Sequence, residues 1–314
     1  MTFILEKAEK EMRQAYAETI YHLAKQDPDV IVMEADLSSA MSTGSLKDKL
    51  PNQYVNIGIM EANMMSLAAG LNVTGRKPFI HSFGQFLTRR AFDQLFVSLA
   101  YAQLSAVLVG SDAGVTAEHN GGTHMTFEDM GLMRLVPKAH VYEASDPTQL
   151  AYLLEKGYKE GGVHYIRTIR KSPVKLYDEQ TNFEKAQVLR EGTDVTLVAS
   201  GMMVAEALKA ADLLAKEGIE AEVIDMFYIK PLDSETLLRS VRKTGKVVTA
   251  ENHNVISGLG SAVSECLAEN YPAPVRRVGV REQFGQVGVT PYLQEFYGLT
   301  AENIAKEAGN LVNK

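Results

Sequence analysis

Hydrophobic and polar positions change rhythm several times along this chain of 314 residues. Near the N-terminus Met12, Tyr16, Ile20 and Leu23 recur at helical spacing, which predicts an amphipathic helix stopping near Asp27-Pro28. Short unbroken apolar runs follow at 30–33, 54–59, 78–81 and 106–109. Runs without strict alternation suit strands of a parallel sheet that helices cover on both faces. Asp146-Pro147-Thr148-Gln149 reads as a helix start: a capping Asp, Pro at the first helical position, and Gln completing a capping box. One more strand is expected over 163–169. From Lys171 to Ala186 the period lapses into KSPVKLYDEQTNFEKA, a polar stretch that reads as a linker. Alternation then restarts, with strands expected over 195–199, 221–226, 246–250 and 275–280. Helices are expected over 204–217, after Pro231-Leu232-Asp233, and from Gly258. The expected fold class is α/β, two open-sheet domains in tandem over 1–172 and 187–314, joined by a linker over 173–186.

Composition narrows the function. At 46% apolar residues the chain can bury two cores. Its 32 basic and 39 acidic residues leave a net charge of −7, which argues against nucleic-acid binding by phosphate neutralisation. No apolar run approaches the roughly 18 residues of a membrane span. The start, MTFILEKAEKEMRQAY, is charged too soon for a signal peptide, so a cytoplasmic protein with no membrane partner is expected. The one cysteine, Cys266, excludes an internal disulfide or a cysteine-rich metal cluster.

Neither the dinucleotide G-x-G-x-x-G nor the P-loop pattern occurs, and Ser257-Gly258-Leu259-Gly260 reads as a glycine turn that lets a helix pack closely. Three segments carry sharper chemistry. Glu61 opens a helix just after the 54–59 run, at a strand's carboxyl end, where open α/β sheets place their ligands. A carboxylate favouring the positive end of a helix explains it equally well. In Pro78-Phe79-Ile80-His81-Ser82-Phe83-Gly84-Gln85-Phe86-Leu87-Thr88-Arg89-Arg90 a strand is expected to enter a helix presenting Phe83, Phe86 and Arg89 on one face. Such a stripe suits a core, and it also suits stacking on a planar heterocycle. The loop from Gly110 to His124 is long and rich in Gly, His and acid, as functional loops are. Its His124 suits a proton shuttle or a capping histidine.

Taken in order, Ile59-Met60-Glu61-Ala62-Asn63, the Phe83/Phe86/Arg89 segment and the Gly121-Gly122-Thr123-His124 loop resemble the C-terminal half of transketolase over nearly the whole chain. The resemblance implies a pyrimidine-binding domain followed by a transketolase C-terminal domain. It further implies the cofactor thiamine diphosphate, bound with Mg2+ (or Ca2+ or Mn2+) through a diphosphate domain on a separate N-terminal partner subunit. No metal ligand is expected on this chain. An α2β2 heterotetramer would transfer a two-carbon ketol unit between sugars or sugar phosphates, as in the pentose phosphate reactions.

By the same resemblance, Glu61 hydrogen-bonds N1′ of the cofactor's aminopyrimidine, favouring the imino form that lets the 4′-nitrogen deprotonate C2. Burial against apolar groups would help Glu61 share that proton. Phe83, Phe86 and Arg89 line the pyrimidine pocket, and Asp36 lies near the cofactor. His124 contacts the donor sugar as a catalytic acid/base or hydrogen-bond partner. Arg13 and Arg170 grip the sugar phosphate, although as bare residues they also read as surface or linker arginines. Two positions depart from the family: Asn120 stands where an aspartate is usual, and Asp112 falls near a phosphate-binding histidine, where a carboxylate would repel phosphate. Three other readings stay open: a deoxyxylulose-phosphate-synthase-like subunit, a 2-oxoacid-dehydrogenase-β-like subunit, and a non-catalytic regulatory subunit.

Overall fold

The computed structural model describes residues 5–313. Its contacts divide into two units: Lys7–Ala113 with Leu132–Glu179, and Gly114–Gly131 with the chain from Gln180 onwards. The segment carrying Asn120 and His124 therefore packs with the second unit.

The first unit is built on parallel strands β1 (Val30–Glu34), β2 (Tyr54–Asn56), β3 (Lys77–Phe83), β4 (Ala106–Ser111), β5 (His140–Glu143) and β6 (Val163–Arg167), in the order β5-β6-β4-β3-β1-β2. Every residue of β1, β4 and β6 is buried, as unbroken apolar runs under helices on both faces require. Helices Met12–Gln26 and Pro147–Glu160 pack against each other. Asp146 caps the second of these, accepting from the Thr148 and Gln149 amides, a contact worth about 1 kcal/mol. The capping box differs from expectation: Gln149 reaches the amide of Ser145 rather than that of Asp146. The second carboxylate oxygen of Asp146 accepts from Leu176 and Tyr177, which fastens this part of the polar 171–186 stretch to the unit.

Two of the expected elements take a different form. β2 stops at Asn56 because that side chain accepts from the amides of Gly58 and Asp36, turning the chain where Gly58 has φ +77°. No helix runs from Phe83 to Arg89: β3 continues through Phe83, a single turn covers Gly84–Leu87, and Arg89 lies in the turn beyond. The Thr88 hydroxyl donates to the Gly84 carbonyl, a local bond that competes with helix continuation. Residues Leu95–Tyr101 then form a π-helical segment that no sequence signal announced.

β5 was also unexpected. Its first residue, His140, pairs with His164 of β6, and the two rings stack 4.4 Å apart. Burial, then the neighbouring His140, lowers the His164 pKa to about 4. A histidine depressed from about 6.5 contributes stability that is complete above the unfolded value and lost as pH falls through about 4. Urea unfolding is therefore expected to weaken between pH 6.5 and 4, with a His164 contribution of roughly 3 kcal/mol. His164→Gln is expected to flatten that slope; an unchanged slope would refute the assignment.

The second unit carries β7 (Gln187–Arg190), β8 (Val195–Ala199), β9 (Ala221–Asp225), the short β10 (Tyr228–Lys230), β11 (Val247–Asn254) and β12 (Val275–Val280). Within it the order β12-β11-β8-β9-β7 is parallel except for the edge strand β7. Helix Ser234–Thr244 starts at Asp233, whose side chain accepts from the Thr236 amide. The glycine turn before helix Leu259–Asn270 brings a carboxylate to the helix N-terminus: buried Glu251 accepts from the amides of Leu259 and Gly260. A Cβ at Gly258 would collide with Glu251 and with His253, so the glycine is there for close packing. Two C-terminal helices, Thr290–Tyr297 and Ala301–Val312, complete the unit, the latter packing on helix Met203–Lys216.

Candidate active site

In the first unit β1 is followed by β2 on one side, while β3 and β4 lie on the other, so the chain switches direction between β1 and β3. The carboxyl ends of strands flanking such a point form the crevice in which α/β sheets hold ligands. The register sets what meets there: Glu34 lies opposite His81, and Phe83 opposite Ser111.

Glu61, the first residue of helix Glu61–Val73, is 1% exposed. Its Oε1 accepts from the Ser82 hydroxyl at 3.0 Å, and its Oε2 accepts from Arg90 Nη1 at 2.7 Å. The side chain is thus buried as expected, but beside a hydroxyl and a cation rather than a purely apolar lining. Arg90 also lies over the Phe86 ring, 3.8 Å from its centroid. Phe83 and Phe86 stack at 5.9 Å with a 22° interplanar angle. A flat nitrogenous group already rests on Phe86 while donating to Glu61, a pattern that an aminopyrimidine matches when its ring nitrogen carries a proton. Arg89, placed by the sequence on the same face as the rings, is exposed in the turn. The tandem arginine was visible in the sequence, but only the turn at 88–91 decides which guanidinium reaches Glu61.

Asp36 follows β1, exposed, at φ 61°, with its amide donating to Asn56. Beneath the crevice runs a buried polar chain that the sequence reading missed. Thr43 donates to Glu34 at 2.5 Å; Glu34 lies 2.7 Å from His81 Nδ1; His81 Nε2 lies 3.0 Å from Ser111 Oγ; and Ser111 donates to Asp112 at 3.2 Å. At the end of the chain Arg170 Nε donates to Asp112 Oδ1 at 2.6 Å. His81 stood in the quoted motif, but nothing in its neighbours along the chain pointed to Glu34, 47 positions away.

Arg13 and Arg170 come together through the backbone, the amide of Arg13 donating to the carbonyl of Arg170 at 3.1 Å. Each has its own carboxylate: Glu11 for Arg13 at 2.5 Å and Asp112 for Arg170. Burial raises the Asp112 pKa, and Arg170 opposes that shift. Asn120 and His124 belong to the second unit. Asn120 is exposed, and His124 is half-buried with Nδ1 2.8 Å from Thr123 Oγ1. Their segment is held within that unit by Thr290 donating to Glu118 and by the Asn254 amide donating to Phe127. A cavity of about 290 Å³ lined by Arg76, Lys77 and Tyr158 lies at the amino ends of the first unit's strands, away from Glu61.

Comparison with known proteins agrees with this architecture. The transketolase pyrimidine-binding domain model matches residues 8–173, and the transketolase C-terminal domain model matches 184–304. The 6-deoxy-6-sulfo-D-fructose transketolase subunit of Clostridium sp. (strain MSTE9) is 47% identical, over 96% of this chain and 95% of the relative. A putative transketolase C-terminal section of Methanocaldococcus jannaschii is 35% identical over 95% of both chains. A solved split-gene transketolase, described as an inactive β4 tetramer, superposes with a TM-score of 0.89 at 39% identity, covering 98% of this chain and 99% of its own. With both domain models in order and full-length subunits among the relatives, the chain belongs to the transketolase family, as the C-terminal subunit of the two-chain form.

Proposed function

We propose that this chain completes a thiamine-diphosphate-dependent transketolase that moves a two-carbon ketol unit from a ketose to an aldose. The single observation that carries the reading is the placement of Glu61, 1% exposed at a strand's carboxyl end and joined to the Phe86 face through Arg90. Thiamine diphosphate, when bound, supplies the carbanion chemistry that protein side chains lack. Glu61 would hold a proton at the ring nitrogen N1′, and the ordered pair Phe83–Phe86 would fix the plane of the ring. Arg89 and Asp36 would border the cofactor. Arg13 and Arg170 would bind the sugar's anionic group, with Asn120 and His124 as the contacts to sugar hydroxyls and to the reacting carbon. The 47%-identical relative is named for a sulfonated ketose, which supports a sugar of that class as a candidate donor.

In this reading residues 1–172 act as the pyrimidine-binding domain, 173–186 as the linker and 187–314 as the C-terminal domain. An N-terminal subunit supplies the diphosphate and magnesium site, in an α2β2 assembly working in the cytoplasm. Exposed apolar residues beside Glu61, Ile59 at 69% and Met60 at 50%, fit burial against another chain.

The test is reconstitution. With thiamine diphosphate and magnesium, this chain alone is expected to turn over no ketose, and addition of the N-terminal subunit is expected to restore transfer from xylulose 5-phosphate or a sulfonated ketose. Activity without a partner would refute the split reading. Consumption of pyruvate instead of ketose would favour the deoxyxylulose-phosphate-synthase-like alternative.

A further inference from the structure

We propose that Asp112 is a specificity-determining residue that makes the anion subsite at Arg170 select a singly charged headgroup, of the sulfonate class, over a doubly charged phosphate. The inference rests on the ketol-transfer reading for the position of the substrate, and its physics lies in the charges at the subsite. Asp112 is 1% exposed and engages Arg170 through Nε, leaving the terminal guanidinium nitrogens as donors. Its other oxygen accepts from Ser111, and Ser111 leads through His81 to Glu34, all three fully buried. The backbone at Asp112 lies in the left-handed region, at φ 57°. The carboxylate is therefore a fixed part of the site, unable to swing into solvent when an anion arrives. Arg13, joined to Arg170 through the backbone, pairs with Glu11 through Nε as well, in a more exposed setting.

A subsite with its cations so compensated discriminates by charge. The cost of taking an ion out of water grows with the square of its charge, whereas attraction to a fixed field grows only in proportion to it. A weak positive field therefore suffices for a monoanion and falls short for a dianion. Removing the Asp112 charge strengthens the field, and the dianion gains twice what the monoanion gains. Partial burial keeps the effect from being screened away.

The experiment uses the complete two-subunit enzyme carrying Asp112→Asn, which keeps shape and an acceptor oxygen for Arg170. For a ketose 6-phosphate and its 6-sulfonate counterpart, the wild-type enzyme is expected to favour the sulfonate. The variant is expected to shift the ratio of kcat/KM toward the phosphate by about tenfold or more, mainly through KM. A ratio unchanged within twofold overturns the proposal. Calorimetric titration with methanesulfonate and with inorganic phosphate at pH 8 separates this result from the underlying reading. Phosphate binding tightened in the variant supports the charge selection even if neither sugar is turned over, in which case it is the ketol-transfer reading that falls. Equal phosphate affinity in both proteins, or no binding of either ion to either protein, overturns the selection itself.

Discussion

Replacing Glu61 with alanine is expected to abolish turnover by the assembled enzyme, lowering kcat by about a thousandfold or more while the chain stays folded. Loss of a positioned proton carrier alone accounts for roughly 10²–10⁴ in rate. Glu61 is also the acceptor for two groups in the crevice, Ser82 and Arg90. The cost to stability is small by comparison. Arg90 is 42% exposed and can rehydrate, leaving the buried Ser82 hydroxyl as the main loss, at about 1 kcal/mol. Steady-state turnover alongside a urea melt separates the two effects. Glu61→Gln sharpens the comparison, because it keeps the shape and one acceptor oxygen but cannot share a proton with a ring nitrogen. Activity within tenfold of wild type in both variants would remove the catalytic reading and leave Glu61 as a helix-terminal carboxylate.

The largest expected loss of stability comes from Glu34→Ala. The side chain is fully buried and holds Thr43 at 2.5 Å and His81 at 2.7 Å, so its removal takes the partner from His81 Nδ1, leaves Thr43 only its longer bond to the Ser38 carbonyl, and opens a cavity. Breaking one side of a buried pair costs about 3–5 kcal/mol. For a protein of this size that is a fall in Tm of roughly 10 °C, readable by calorimetry or urea unfolding. Glu34→Gln, which retains an acceptor oxygen, is expected to lose less than half as much. If alanine cost under 1 kcal/mol, the chain from Glu34 to Asp112 would not be the anchor of the crevice.

Much of the fold was legible because it rests on local periodicity. The N-terminal helix, β1, β8, β12 and the Asp146 and Asp233 helix starts fall where the apolar spacing and capping residues put them. β5 and the π-helical segment escaped because four residues are too few to show a period and a π-helix has no residue signature. The stop of β2 was hidden in the Asn56 side chain, which turns the backbone by bonding to amides two and twenty residues away.

The candidate site divides along the same line. Glu61, Phe83 and Phe86 could be named from the chain because they fall in the short segments that follow apolar runs read as strands. By itself, the sequence determined two parallel-sheet α/β halves, a net charge of −7, and a carboxylate opening a helix beside an aromatic segment. Only the tertiary structure decided that Arg90 rather than Arg89 meets that carboxylate, and that Asp112 is the counter-ion of Arg170. The same holds for His81, which joins Glu34 to Ser111. These contacts bridge up to 58 positions along the chain and depend on which strands lie side by side, and parallel pairing through crossovers leaves no mark on the residues nearby.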